Sequence, residues 1–191
     1  MQMNKTRAIT IAAALTALGI VVPMIFHATQ ISGQMFLPMH IPVLLCGIIC
    51  GPFLGAVCAV IVITVSSAAT GMPPPFPQGL LMLFELIAYA VTSGILIRLI
   101  KRGKLWLKLY VALIAAMLIG RGVYGLAAYI VLGVIGNGYT FTVFLSSAFV
   151  TALPGIIIQL VSIPPLVLAL KTARLLGYPP FTAPLSATSE R

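Results

Sequence analysis

Between Ala116 and Asn137 the chain reads Ala-Met-Leu-Ile-Gly-Arg-Gly-Val-Tyr-Gly-Leu-Ala-Ala-Tyr-Ile-Val-Leu-Gly-Val-Ile-Gly-Asn, apolar enough to enter a bilayer yet carrying Arg121 near its middle. A guanidinium keeps its proton, and a charged side chain at the centre of a bilayer helix costs about 2.5–3.5 kcal/mol on insertion scales. Such a residue needs a partner. The only acidic residue outside the C-terminal tail is Glu85, in another apolar run. The chain therefore offers either an internal ion pair or a cationic site awaiting an anion.

The remaining sequence repeats the apolar pattern. Charged residues make up 7% of 191, where a soluble domain averages about 25%. The fold class expected is an all-α membrane protein of six transmembrane helices, at about 20 residues per crossing. Spans are read at about Arg7–Phe26, Met39–Cys50, Phe53–Ala69, Gln78–Ile100, Trp106–Ile135 and Phe141–Leu170. The second is too short to cross alone without thinning, tilt or burial among neighbours. The run Gly71-Met-Pro-Pro-Pro-Phe-Pro77 cannot be helical, because consecutive prolines hold an extended backbone. Pro154, Pro164 and Pro165 are expected to kink the last span. Residues 1–174 form one transmembrane domain, and the Pro-, Ser- and Thr-rich residues 175–191 read as a disordered cytoplasmic tail. The apolar run after Lys5 and Arg7 is too long for an ordinary signal peptide and lacks a clear cleavage site, so the first helix is expected to stay.

Charge sets orientation. Lys5 and Arg7 precede the first span, Arg98, Lys101, Arg102, Lys104 and Lys108 surround the turn between the fourth and fifth, and Lys171 and Arg174 follow the sixth. Six spans put all three groups on one side. The opposite loops, residues 27–38, 71–77 and 136–140, carry no acidic or basic charge. By the positive-inside rule both termini are cytoplasmic. The net charge of +9 lies at span ends rather than on an aromatic-interleaved face, so no nucleic-acid partner is expected.

Candidate binding residues gather on the outer halves of the spans. Arg121 is the cation, and its planar fork suits a carboxylate. Glu85 either neutralises it or accepts from a ligand. Gln78 and Tyr89 accompany Glu85 on one span, and Tyr124 and Asn137 accompany Arg121 on another. His40 opens the second span, and Gln34 sits in the first outer loop. For the tyrosines the competing reading is an interface belt. Catalysis has little support: Gly103-Lys104 lacks the first glycine and the hydroxyl of a phosphate loop, with Arg98 and Leu105 in those places. Cys46, Cys50 and His40 do not complete a metal ligand set, and buried packing explains the cysteines better. The chain reads as no enzyme, with no metal or cofactor.

The N-terminal Ala13-Ala-Leu-Thr-Ala-Leu18, Leu37-Pro-Met-His-Ile-Pro-Val43, Cys46-Gly-Ile-Ile-Cys-Gly-Pro52, Gly71-Met-Pro-Pro and Pro154-Gly-Ile-Ile-Ile-Gln159 together resemble substrate-binding S components of energy-coupling factor (ECF) vitamin importers. The similarity spans about residues 5–172 and looks closest to the group that includes pantothenate-type members. The resemblance implies a receptor that captures a water-soluble vitamin or precursor outside, while a transmembrane T subunit and two ATP-binding subunits supply transport. It also implies that Ala13 and Ala17 face the T subunit, that residues 27–38 gate the site, and that the receptor tilts to release its ligand. A free Arg121 favours a carboxylate such as pantothenate, and an Arg121 consumed by Glu85 favours a neutral ligand. The alternative is a self-sufficient secondary carrier with Glu85 as coupling carboxylate, for which an internal repeat would be expected and none is clear.

Overall fold

A computed structural model describes residues 5–29, 36–100, 103–134 and 152–172. Among them six α-helices carry most of the chain: α1 (Lys5–Ala28), α2 (His40–Cys50), α3 (Pro52–Thr70), α4 (Leu80–Leu99), α5 (Leu105–Val134) and α6 (Leu153–Thr172). Five of these are long and apolar enough to cross a membrane, and α2 is the shorter one. The fold is that of an all-α membrane protein. The C-terminal tail, and residues 141–151 of the sixth expected span, lie outside the described residues.

The short helix is the centre of the bundle. Nine of the 11 residues of α2 are buried, as expected of a helix apolar all round. It is about 16 Å long, roughly half a bilayer's hydrocarbon thickness. Burial among α1, α3, α4 and α6 accounts for its brevity. At its foot Gly51, with φ of 107°, turns the chain, and Pro52 starts α3 in the first turn, where a missing N–H costs nothing. The Arg98 Nη2 of α4 donates to the Cys50 carbonyl at 3.5 Å, a cation at the helix C-terminus.

Small residues bring the central helices together. A methyl on Gly47 would collide with the Ala90 carbonyl, and Gly55 of α3 and Gly94 of α4 close on the same point of α2. Close backbone approach of this kind replaces the hydrophobic drive that lipid removes. The outer helices pack on this centre: α5 on α4, α6 on α2 and α5, and α1 on α2 and α3. Helix α1 touches the bundle through Ala12, Leu15 and Gly19, leaving Ala13 and Ala17 exposed.

The proline run behaves largely as its chemistry dictates. Helix α3 ends at Thr70 with Gly71 in the left-handed conformation. Ser67 Oγ donates to the Pro73 carbonyl at 2.6 Å, tying the segment back onto α3. Pro74 and Phe76 are extended, but the Gly79 N–H reaches the Pro74 carbonyl at 2.7 Å and folds Pro75–Gly79 into one wide turn ahead of α4. Pro154 departs from expectation. It sits in the first turn of α6, where proline fits without bending the helix, while Pro164 and Pro165 lie inside it.

Gly47→Ala is expected to cost about 1–3 kcal/mol, the range for overpacking a tight contact. Thermal unfolding in detergent should show a clear drop in melting temperature, larger than for Gly122→Ala, where an added methyl meets nothing within 4 Å.

Candidate functional site

Four buried polar side chains from three helices meet at the His40 end of the bundle. Glu85, 2% exposed, is the hub. Its Oε1 receives Arg121 Nη1 at 2.9 Å and the Tyr89 hydroxyl at 3.0 Å. Its Oε2 faces His40 Nε2 at 3.8 Å, too far for a hydrogen bond. The His40 and Tyr89 rings meet edge to face with centroids 5.4 Å apart.

Local sequence explains the assembly. Glu85 and Tyr89 are one helical turn apart and share the face of α4 that also buries Leu81, Leu86 and Ala90. The Tyr89 ring packs closely against Gly120, where an added Cβ would overlap its Cδ1 and Cε1 atoms. The neighbouring Arg121 then arrives beside Glu85. Arg121 lies 13 residues before the end of α5 and Glu85 five after the start of α4. Their contact therefore raises the far end of α5 about 12 Å beyond that of α4. Seven residues before Glu85, Gln78 accepts a long hydrogen bond from the Tyr124 hydroxyl at 3.4 Å.

The ion pair commits one guanidinium nitrogen. Arg121 Nε and Nη2, the two side-by-side donors of its other edge, have no hydrogen-bond partner among the described residues. Both nitrogens of His40 are likewise unpartnered, although the residue is fully buried. Unsatisfied polar groups in an apolar interior are costly and rare. The two sequence alternatives for Arg121 thus meet in one side chain, with one nitrogen in a salt bridge and the other edge buried without a partner among the described residues.

Of the residues named from sequence, Arg121, Glu85, His40 and Tyr89 are brought together, and Gln78 with Tyr124 forms a second pair beside them. Gln34 and Asn137 lie outside the described residues. Sequence reasoning missed Gln159 and Ser66, which are each 1% exposed and carry side-chain polar atoms without partners among the described residues. The signal for Gln159 was present: it is a lone amide on the i, i+4 stripe Gly155, Gln159, Ile163 and Val167 that α6 buries.

A multi-pass helical membrane protein with a buried, incompletely satisfied polar cluster and no soluble domain among its described residues has the make-up of a small-solute binding or conducting unit. The family comparison makes the class definite. The model for the ECF transporter substrate-specific component matches residues 7–167, and the chain belongs to that family. No curated protein and no solved structure matches the chain. Membership makes it a transporter component rather than an enzyme, one that associates with a T subunit and ATPases and handles a small-molecule substrate.

Removing one partner of a buried ion pair costs about 3–5 kcal/mol, because the other charge is left uncompensated. Arg121→Met and Glu85→Gln should each lower the detergent melting temperature strongly, and the double variant should recover most of the loss. An additive double-mutant cycle would show the two residues to be energetically independent.

Proposed function

We propose that the chain is the receptor of an ECF importer, taking up a water-soluble vitamin or vitamin precursor from outside and passing it inward with the T subunit and two ATP-binding subunits. The binding site is the cluster around Arg121, Glu85, His40 and Tyr89, with Gln78 and Tyr124 beside it and Gln34 and Asn137 contributing from the outer loops. Both termini face the cytoplasm, following the basic residues at one end of the spans. The ligand presents a carboxylate to Arg121, and pantothenate is one compound of that kind.

The observation that carries this reading is the open edge of Arg121. Nε and Nη2 are buried and unpartnered among the described residues, and their parallel N–H bonds match the two oxygens of a carboxylate. Glu85 holds the guanidinium in place through Nη1, which fixes the open edge before the ligand arrives. Such preorganisation lowers the ordering cost of binding. A carrier that works alone needs a coupling group free to titrate, whereas the Glu85 carboxylate is already held by Arg121 and Tyr89.

The partner surface is the lipid-facing side of α1. Ala13 and Ala17 stand one turn apart on its exposed face and permit close approach of another helix. Ala13→Leu with Ala17→Leu should abolish co-purification with the T subunit while ligand binding stays within about twofold of wild type. Loss of both together would remove the docking role.

Native mass spectrometry of the gently purified chain, in wild type and Arg121→Lys, tests the site. Lysine keeps the charge but loses the fork, so a co-purified acidic molecule should be retained by the wild type and lost from the variant. Uptake in proteoliposomes should require the T subunit and ATPases, and uptake by the chain alone would overturn the receptor reading.

A further inference from the structure

The buried amide of Gln159 has no partner for either of its polar atoms among the described residues. It is 1% exposed and lies on the stripe of α6 that includes Gly155, Ile163 and Val167. Helix α6 packs against α2 and α5, the helices that carry His40 and Arg121. Counted from the opposite end of the bundle, Gln159 is 13 residues above Thr172, Glu85 14 above Leu99 and Arg121 16 above Leu105. At about 1.5 Å per residue these levels agree to within about one helical turn. By this count Gln159 stands within about one turn of the level of the charged cluster, on a helix that packs against two of the helices carrying it.

We infer that Gln159 is a ligand-contacting, specificity-determining residue of the receptor site, and that the site selects small carboxylates bearing a lactam or cyclic ureide. The inference rests on the receptor reading above and narrows its ligand. The open edge of Arg121 offers donors alone and takes the carboxylate. A glutamine amide offers an acceptor beside a donor, in one plane. Its complement is a group with a donor beside an acceptor, pointing the same way. A lactam or cyclic ureide has that edge; a primary amide has it too, but brings a second N–H that must find its own acceptor in a buried site. An extended secondary amide, that of pantothenate included, points its N–H and C=O in opposite directions, so this narrower class sets pantothenate aside, and a ketone or ester lacks the donor.

A site built to hydrogen-bond a ligand N–H rejects the analogue without it, because its own buried group is then left unpaired. The full-length chain in detergent is titrated with pyroglutamate, dihydroorotate and hydantoin-5-acetate. The control is 3-oxocyclopentane-1-carboxylate, which is pyroglutamate with its ring N–H replaced by CH2. Binding is read by thermal shift and isothermal titration in wild type and Gln159→Met, a substitution of similar length and volume.

Wild type should bind at least one lactam or ureide acid roughly tenfold or more tightly than the control. In Gln159→Met the preference should fall to within about twofold, with the control's affinity unchanged. The unliganded variant should melt no lower than wild type, since the amide it loses has no partner among the described residues. That melting result separates ligand recognition from a structural role. Equal affinities in wild type, or a preference that survives in Gln159→Met, would overturn the assignment. No binding of any probe would overturn the ligand class. The receptor reading is judged separately, by the requirement of uptake for the T subunit and ATPases.

Discussion

The contact between Arg121 and Glu85 is the constraint around which the upper half of the bundle is arranged. Neither charge is tolerable alone in an apolar interior, and a buried pair is stable only when the remaining lone pairs and protons are also met. Tyr89 meets part of that demand on Glu85 Oε1, and Gly120 gives its ring the room to do so. The pair therefore sets the vertical register of α5 on α4. Among the described residues it leaves the Nε and Nη2 edge of Arg121 and the two nitrogens of His40 without hydrogen-bond partners.

The rest of the fold supplies rigidity beneath that cluster. Helix α2 is too short to cross a membrane, and its burial on every side makes it a central post. Gly47, Gly55 and Gly94 bring three helices to backbone contact at its lower half, while Arg98 closes its C-terminus. The Arg121–Glu85–Tyr89–His40 cluster thus lies at the His40 end, and the closest glycine contacts of α2 lie toward the other. The close-packed foot keeps the helices that carry the cluster in fixed relation to one another. Helix α1 adheres by a narrow seam and keeps its alanine face outward.

Membership of the ECF substrate-specific family and the open edge of Arg121 point in the same direction for separate reasons. One comes from the pattern of residues along 7–167, the other from hydrogen bonds that two helices cannot complete between themselves. The lone amide of Gln159 adds a group of different character, donor and acceptor together, from a fourth helix. On the proposal that both touch the ligand, a carboxylate fork and an amide edge would make a more selective site than either alone, since a buried group without its complement disfavours the wrong ligand.

Local properties were legible in the chain itself. Hydropathy marked the spans, Gly51-Pro52 and Gly71 marked the helix ends to within a residue or two, and the brevity of α2 followed from the punctuation around it. These follow from solvation of the backbone and from the steric limits of glycine and proline, which act within a few residues. The fate of Arg121 did not follow. Its distance to Glu85, 36 positions earlier in the sequence, depends on how far α5 overshoots α4, a register fixed by contacts between the two helices, the close approach of Tyr89 to Gly120 among them. Only the tertiary structure could divide one guanidinium between a salt bridge and an edge without a partner among the described residues, or show that the lone amide on the Gln159 stripe has no partner there either. Hydrogen-bond satisfaction is a property of which atoms meet, and no periodicity along one helix records what stands opposite it.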